Sequence, residues 1–259
     1  DKGSHIPLMW THLIPATPEG KAMHNVQNAM FAASMAFSLG VSLDSIRQGL
    51  RTFDTSFFQA PGRMNVYSEH PFKVILDYGH NAHAVGVMTD LIQRMDVANR
   101  KVVVLAAPGD RRDEDILDIA DAVTGKYDVY VLKRDDGLRG RDGDEVPRLL
   151  AERLKANGVP EAAIHVIPDE QQAIDAALNM AEAGDLLLIF GDALARCWKQ
   201  ITKFNPDGEV ANQIVVKKQV ADSNAAMAAW LNQNEANYIP IEGITRDERG
   251  IVIQPEQDD

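Results

Sequence analysis

Between Met64 and Ile201 the sequence switches repeatedly between short apolar runs and longer segments with apolar residues at helical spacing, and few chain plans satisfy that alternation. Strands are expected at Met64–Tyr67, Phe72–Leu76, Lys101–Ala106, Val129–Leu132, His165–Ile167 and Leu186–Phe190. Helices are expected at His83–Met95, Asp113–Thr124, Glu145–Asn157, Glu170–Ala183 and Ala193–Ile201. Short strands that are almost wholly apolar have no polar face to give to water, so they belong in a sheet covered on both sides. The fold class predicted is α/β: a Rossmann-like, mostly parallel sheet with helices on both faces. The fingerprint Gly-x-Gly-x-x-Gly is absent from the first strand–helix turn, so no motif supports a nicotinamide dinucleotide.

The flanks read differently. Near the start, His24 or Asn25 is placed to cap a helix carrying Ala29, Met30, Ala32, Ala33, Met35, Ala36 and Phe37, which Gly40 would end. A short helix follows at Leu43–Leu50. Two helices cannot close a core alone, so residues 1–59 read as the tail end of a larger domain, followed by a principal domain over 60–205. In the extension, 206–259, Ser223–Asn234 fits one amphipathic helix and Ile239–Ile253 a strand or hairpin. No chemistry is assigned to that extension.

A net charge of -12 disfavours nucleic acid or an anionic membrane surface as partner, since both would be repelled. The single cysteine, Cys197, excludes an intramolecular disulfide, and no apolar run is long enough to span a bilayer. A cytoplasmic enzyme acting on small ligands fits these limits. Cys197 and Trp198 fall in an expected helix and read as packing residues, as do the methionines.

Three polar clusters lie just past three of the expected strands: Asp77-Tyr78-Gly79-His80-Asn81, Pro108-Gly109-Asp110-Arg111-Arg112-Asp113, and Arg134-Asp135-Asp136-Gly137-Leu138-Arg139-Gly140-Arg141. If those strands are parallel, all three clusters share one edge of the sheet, where open α/β sheets place their ligands. The histidines lack zinc-type spacing and there is no cysteine cluster, so no metal centre is expected in the chain.

With these clusters the sequence resembles the Mur ligase family, and most closely the C-terminal part of its cyanophycin synthetase branch. Asn25-Val26-Gln27-Asn28-Ala29 is similar to the segment that ends the family's central ATPase domain. Gly62-Arg63-Met64 with Asp77-Tyr78-Gly79-His80-Asn81 is similar to the elements that open its C-terminal domain. Phe53 to Arg63, Ala106 to Ile116 and Asp135 to Arg141 carry the branch-specific likeness, which covers roughly residues 6–204. Gly79 stands where the family has alanine and Ala82 where it has proline, which should loosen that loop. The phosphate loop Gly-x-x-Gly-Lys-Thr/Ser is absent from the chain. The resemblance therefore implies a C-terminal portion of a longer ligase that is inactive by itself.

What the resemblance implies is ATP-dependent amide synthesis: a carboxylate becomes an acyl phosphate, and an amine displaces the phosphate. In this branch arginine is joined to the side-chain carboxylate of an aspartate polymer, with ATP and Mg2+ held mainly by the central domain in the remainder of the ligase chain. The C-terminal domain acts as a lid; a homo-oligomer is compatible with this plan. The nucleotide side would be served by Asn28 at the adenine edge, Arg63 and Asp77 at the ribose or phosphates, and His80 and Asn81 along the cleft. The alternatives set against these roles are ordinary strand-end or capping residues for Asp77 and Arg63 and a packing residue for Asn28. Asn81 can equally cap the next helix and His80 bond backbone. For the amino acid, Asp135 and Asp136 would accept from the guanidinium and Arg139 or Arg141 would pair with the α-carboxylate, with Asp110 and Arg111 in support. The alternative for these is a solvated loop of mixed charge, and no residue in the chain is assigned to catalysis itself. Rival readings are a Mur or folylpolyglutamate-type ligase for another amino acid, and a noncatalytic binding or assembly module that kept the lid fold.

Overall fold

The computed structural model describes residues 6–205, 244–247 and 250–253, and the chain divides into two units, 1–206 and 207–259. In the first unit the elements run α1 (Met23–Ser38), α2 (Leu43–Thr52), β1 (Asn65–Tyr67), β2 (Lys73–Asp77), α3 (Ala82–Arg94), β3 (Lys101–Leu105), α4 (Asp113–Val123), β4 (Val129–Leu132), α5 (Glu145–Ala156), β5 (Ile164–Val166), α6 (Glu170–Met180), β6 (Leu186–Phe190) and α7 (Leu194–Lys203). The sheet order is β1-β2-β6-β3-β4-β5, with β1 antiparallel to β2 and every other pairing parallel. This is the mostly parallel α/β sheet expected.

The strands are apolar on both faces because both are covered. Ile75, Val103, Leu105, Tyr130, Leu132, Leu188 and Phe190 pack with Val85, Ile92, Ile116, Ile119 and Leu150 of α3, α4 and α5. The alternate residues Val74, Leu76, Val102, Val104, Val131, Leu187 and Ile189 pack with Ile174, Leu178, Cys197 and Ile201 of α6 and α7. Period-two alternation along each strand thus divides one sheet between two helical layers. Strand β6 lies between β2 and β3, yet α7 after it covers the opposite face from α3 and α4. At such a reversal the loops leave the carboxyl edge in opposite directions and open a crevice.

Several boundaries shift for identifiable reasons. Helix α1 starts after Ala22, with no side-chain cap, so neither His24 nor Asn25 caps it. Asn25 instead donates to Ala16 O at 2.7 Å, fixing the preceding loop. Gly40 ends the helix at φ 83, its N–H donating to Phe37 O, as a left-handed C-terminal residue does. Helix α6 stops at Met180, short of Ala183: Glu182 N–H donates to Asp185 Oδ2 at 2.8 Å and Gly184 turns at φ 85.

In the second unit β7 (Ile244–Asp247) and β8 (Gly250–Ile253) pair antiparallel, which agrees with a hairpin in that region. The helix expected at Ser223–Asn234 lies outside the described residues. Among the described residues no helix is long and apolar enough to cross a membrane, and no group of three or more His, Cys, Asp or Glu is arranged to hold a metal ion.

Candidate functional site: a polar cleft at the carboxyl edge of the sheet

The three polar turns meet. Tyr78, Gly79 and His80 after β2, Pro108 and Arg111 after β3, and Asp135 and Arg139 after β4 line one cleft, together with Phe190 at the end of β6 and Gly191 and Asp192 after it. Parallel strands deliver their following loops to the same edge, so the convergence comes from topology and not from local sequence. The cleft encloses about 70 Å³, against roughly 300–1,000 Å³ for a pocket that buries a whole drug-sized ligand. Within this chain it accommodates a functional group, not an entire nucleotide.

Asp77 is the last residue of β2 and only 8% exposed. Its Oδ2 accepts the Met64 N–H at 2.9 Å and its Oδ1 the Gly79 N–H at 2.8 Å. Met64 takes the left-handed region at φ 53, and Asp77 satisfies the amide that this conformation turns inward. Burial pushes the Asp77 carboxyl above its ordinary range, against the pull of those two amides and of the Arg63 and His24 charges. A carboxylate has about four lone-pair directions, so two remain after these bonds. His24, in the first turn of α1, has its pKa lowered by burial, with Asp77 opposing.

The rest of the first cluster is tightly held. A Cβ on Gly79 would lie 2.8 Å from Phe190 Cε1 and 3.2 Å from Asp77 Oδ1, so glycine here permits a close approach and does not loosen the loop. Asn81 caps α3, accepting from Ala84 N–H at 2.9 Å, and His80 Nδ1 lies 3.0 Å from Tyr78 O. Both therefore make the local bonds that sequence offered as the alternative to ligand contact, while His80 still lines the cleft. Arg63 is exposed beside Asp77, and Asn28 is exposed on α1, outside the cleft, donating to Asn25 Oδ1 at 3.3 Å.

The third cluster separates into struts and open groups. Arg141 donates to Gly109 O (2.9 Å), Arg111 O, Asp113 and Glu145 (each 2.7 Å), so its guanidinium clamps the turn after β3 to the turn after β4. Asp136 is tied up too: its Oδ2 lies 2.6 Å from Arg196 and its N–H donates to Asp192 Oδ2 at 3.1 Å. Asp110 and Arg139 face each other at 3.3 Å across an exposed pair, which is worth little. Arg139 itself sits at φ 50, an uncommon conformation for a residue with a side chain, followed by Gly140 at φ 92. Arg112 leaves the cleft and pairs with Asp115.

Asp135 differs from all of these. It is 9% exposed and lines the cleft, yet its carboxylate takes part in no hydrogen bond or ion pair among the described residues. Burial raises its pKa, Lys133 lowers it, and Asp192 raises it further. Asp192, which faces it, escaped the sequence reading because Gly191-Asp192 looks like an ordinary strand-to-helix turn. Lys133, Glu170 and Arg196 were likewise missed. Asn65, fully buried, is a further silent contributor: it accepts Gly62 N–H at 2.7 Å and donates to Thr55 O and Ala60 O at 2.8 Å, pinning the segment before β1 onto the domain.

A doubly covered, mostly parallel sheet whose loops converge on a charged cleft defines an open α/β domain of the doubly wound class. Its residues 62–193 match the family model for the Mur ligase, glutamate ligase domain, and the chain belongs to the Mur ligase family. It is 33% identical over 235 residues to the cyanophycin synthetase of a Nostoc species, a match covering 87% of this chain and 24% of that protein. It is 34% identical over 196 residues to the enzyme of the same name from a Synechocystis species, covering 76% and 22%. The chain thus spans about a quarter of the length of these relatives. Among solved structures, UDP-N-acetylmuramate-alanine ligase from Thermotoga maritima superposes with a TM-score of 0.52 at 18% identity, over 70% of this chain and 37% of that one. MurF from Acinetobacter baumannii gives 0.51 at 21%, over 69% and 37%, so the fold likeness extends across the family.

Proposed function

We propose that the chain is the C-terminal portion of an ATP-dependent amide ligase that joins the α-amino group of arginine to side-chain carboxylates of an aspartate polymer through an acyl phosphate. Residues 60–205 would be the lid, 1–59 the end of the ATP-binding domain and 206–259 an extension. The observation that carries the reading is Asp135: a nearly buried carboxylate without a protein partner among the described residues, opposite Asp192, in a cleft that also presents Arg111 and Arg139. Asp135 and Asp192 are placed to accept from a guanidinium, and Arg111 and Arg139 to pair with an α-carboxylate.

ATP is a substrate in this reading, with Mg2+ accompanying it, and supplies the phosphate that activates the acceptor carboxylate. The small cleft fits only one end of such a nucleotide, with Asp77, Arg63 and His80 on that side and Asn81 next to His80; the larger part, with Asn28 on α1, would be bound by the remainder of the ligase. Closing the lid would bring the arginine amine to the acyl phosphate and exclude water that would otherwise hydrolyse it. Arg141 and Asp136 would act by holding the loops.

The test is amino-acid-dependent ADP release by the ligase polypeptide that carries this chain, with an aspartate polymer as acceptor. Arginine should support turnover, whereas alanine, glutamate and diaminopimelate should not. Release driven by one of those three in place of arginine would assign the lid to another member of the family, and no release with any amino acid would favour a noncatalytic module.

A further inference from the structure

One of the most heavily bonded polar groups of the domain lies beneath the cleft. Glu170, the first residue of α6, has a wholly buried side chain. Its Oε2 accepts the Asp192 N–H at 2.8 Å and lies 2.9 Å from Lys133 Nζ, which is also wholly buried. Its Oε1 accepts the Ala193 N–H at 3.2 Å and Arg196 Nη2 at 2.7 Å. The same Arg196 nitrogen lies 2.6 Å from Asp136 Oδ2. Every one of these donors comes from the loop after β4, the loop after β6, or the helix that the second loop starts. Those two loops carry Asp135 and Asp192 into the cleft.

Stability does not require such an arrangement. A buried ion pair has to recover the hydration of both charges, and apolar residues of similar volume often serve as well or better. What a carboxylate with three directed donors and a buried ammonium beside it supplies, and an apolar side chain cannot, is a fixed relative position for the groups that bond to it. Lys133 Nζ has no hydrogen-bond partner of good geometry among the described residues, so the network is not arranged for the greatest stabilisation.

We infer that Glu170 is a positioning residue of the cleft: from the α6–α7 side of the sheet it holds the loops after β4 and β6 in register, so that Asp135 and Asp192 form one acidic wall before a cationic group arrives. The cationic ligand rests on the function proposed above; the positioning does not, and the two are tested separately.

The experiment is residue-resolved amide hydrogen exchange on the whole chain, native and Glu170→Gln, without ligand. The amides of Asp136, Asp192 and Ala193 should exchange at least about tenfold faster in the variant beyond the change at Val103 and Val104, whose strand amides report any loss of global stability. Unchanged exchange at the rim, or equal acceleration throughout the domain, would overturn the inference. Should Glu170→Gln not fold, the double variant Lys133→Met, Glu170→Leu replaces the pair by apolar groups. Fast rim exchange at native-like sheet protection then supports positioning, and native rim exchange refutes it. In a second arm L-arginine is titrated while the amide signals of Asp135 and Asp192 are followed, with uncharged citrulline as control. Arginine should shift both signals in the native chain and bind about tenfold more weakly to Glu170→Gln, the loss expected if a preformed wall must be rebuilt on binding. A native chain indifferent to arginine, together with a loosened rim in the variant, would sink the arginine reading and leave the positioning role intact.

Discussion

Asp77 illustrates how a strand-end carboxylate can hold the turn on either side of it. Both carboxylate oxygens take backbone amides, one from a left-handed Met64 and one from the cleft loop. Asp77→Ala strands both donors, and at about 1–3 kcal/mol for each unsatisfied buried group the variant should lose about 2–4 kcal/mol in urea unfolding. A loss below about 1 kcal/mol would mean that water reaches those amides. Glu170 gives a pH signature. Burial alone would raise its pKa, but Lys133, the Asp192 amide and Arg196 outweigh it and bring it from 4.5 to about 2. A carboxyl lowered by folding stabilises above its unfolded value and loses that contribution as pH falls through the folded one. Stability should therefore decline between about pH 4.5 and 2, and Glu170→Gln should flatten that limb by about 2–3 kcal/mol. A limb unchanged in the variant would assign acid sensitivity elsewhere. The two residues were not equally legible. Asp77 stands in a recognisable motif, whereas Lys133 and Glu170 are charged residues whose burial appears only once β4 and α6 are brought side by side.

At the scale of elements, period and composition determined nearly everything visible in the sequence: apolar four- and five-residue runs became central strands, and helix periodicity located α3 to α7 to within a few residues. The strand order could not be read, because β6 inserts between β2 and β3 by contacts that no local pattern encodes. Nor could the way the loops fit together. Gly109 looks like a turn glycine, but a Cβ there would sit 2.3 Å from Leu138 O, where the turns after β3 and β4 touch. Backbone cannot retreat as a flexible side chain can, so Gly109→Ala should destabilise the domain by about 1–3 kcal/mol and separate the two turns. Gly86 provides the contrast. It lies inside α3, where an added Cβ would meet nothing within 4 Å, so Gly86→Ala should stabilise by about 0.5–1 kcal/mol. Paired thermal unfolding of the two variants checks both signs, and a neutral Gly109→Ala would show that the turns are not in contact in solution.

For the whole molecule, α1 is the element least at home in the described structure. The residues just before it are docked, with Ala22 fully buried in the core and Lys21 paired with Asp96. Beyond that the helix buries only Val26, and Met30, Phe31, Met35 and Phe37 are 64, 67, 62 and 47% exposed. From Ala29 to Phe37 the helix is apolar on nearly every side, with Ser34 the exception, and such a helix is built to be enclosed. Such an exposed face drives association when nothing covers it. The chain by itself should therefore self-associate with rising concentration in sedimentation velocity. Phe31→Gln with Met35→Gln should abolish that association while changing unfolding free energy by no more than about 0.5 kcal/mol, the range for exposed positions. The two measurements must agree: if association persists it runs through another surface, and if the double variant loses more than about 1 kcal/mol, those side chains are already packed within a single chain.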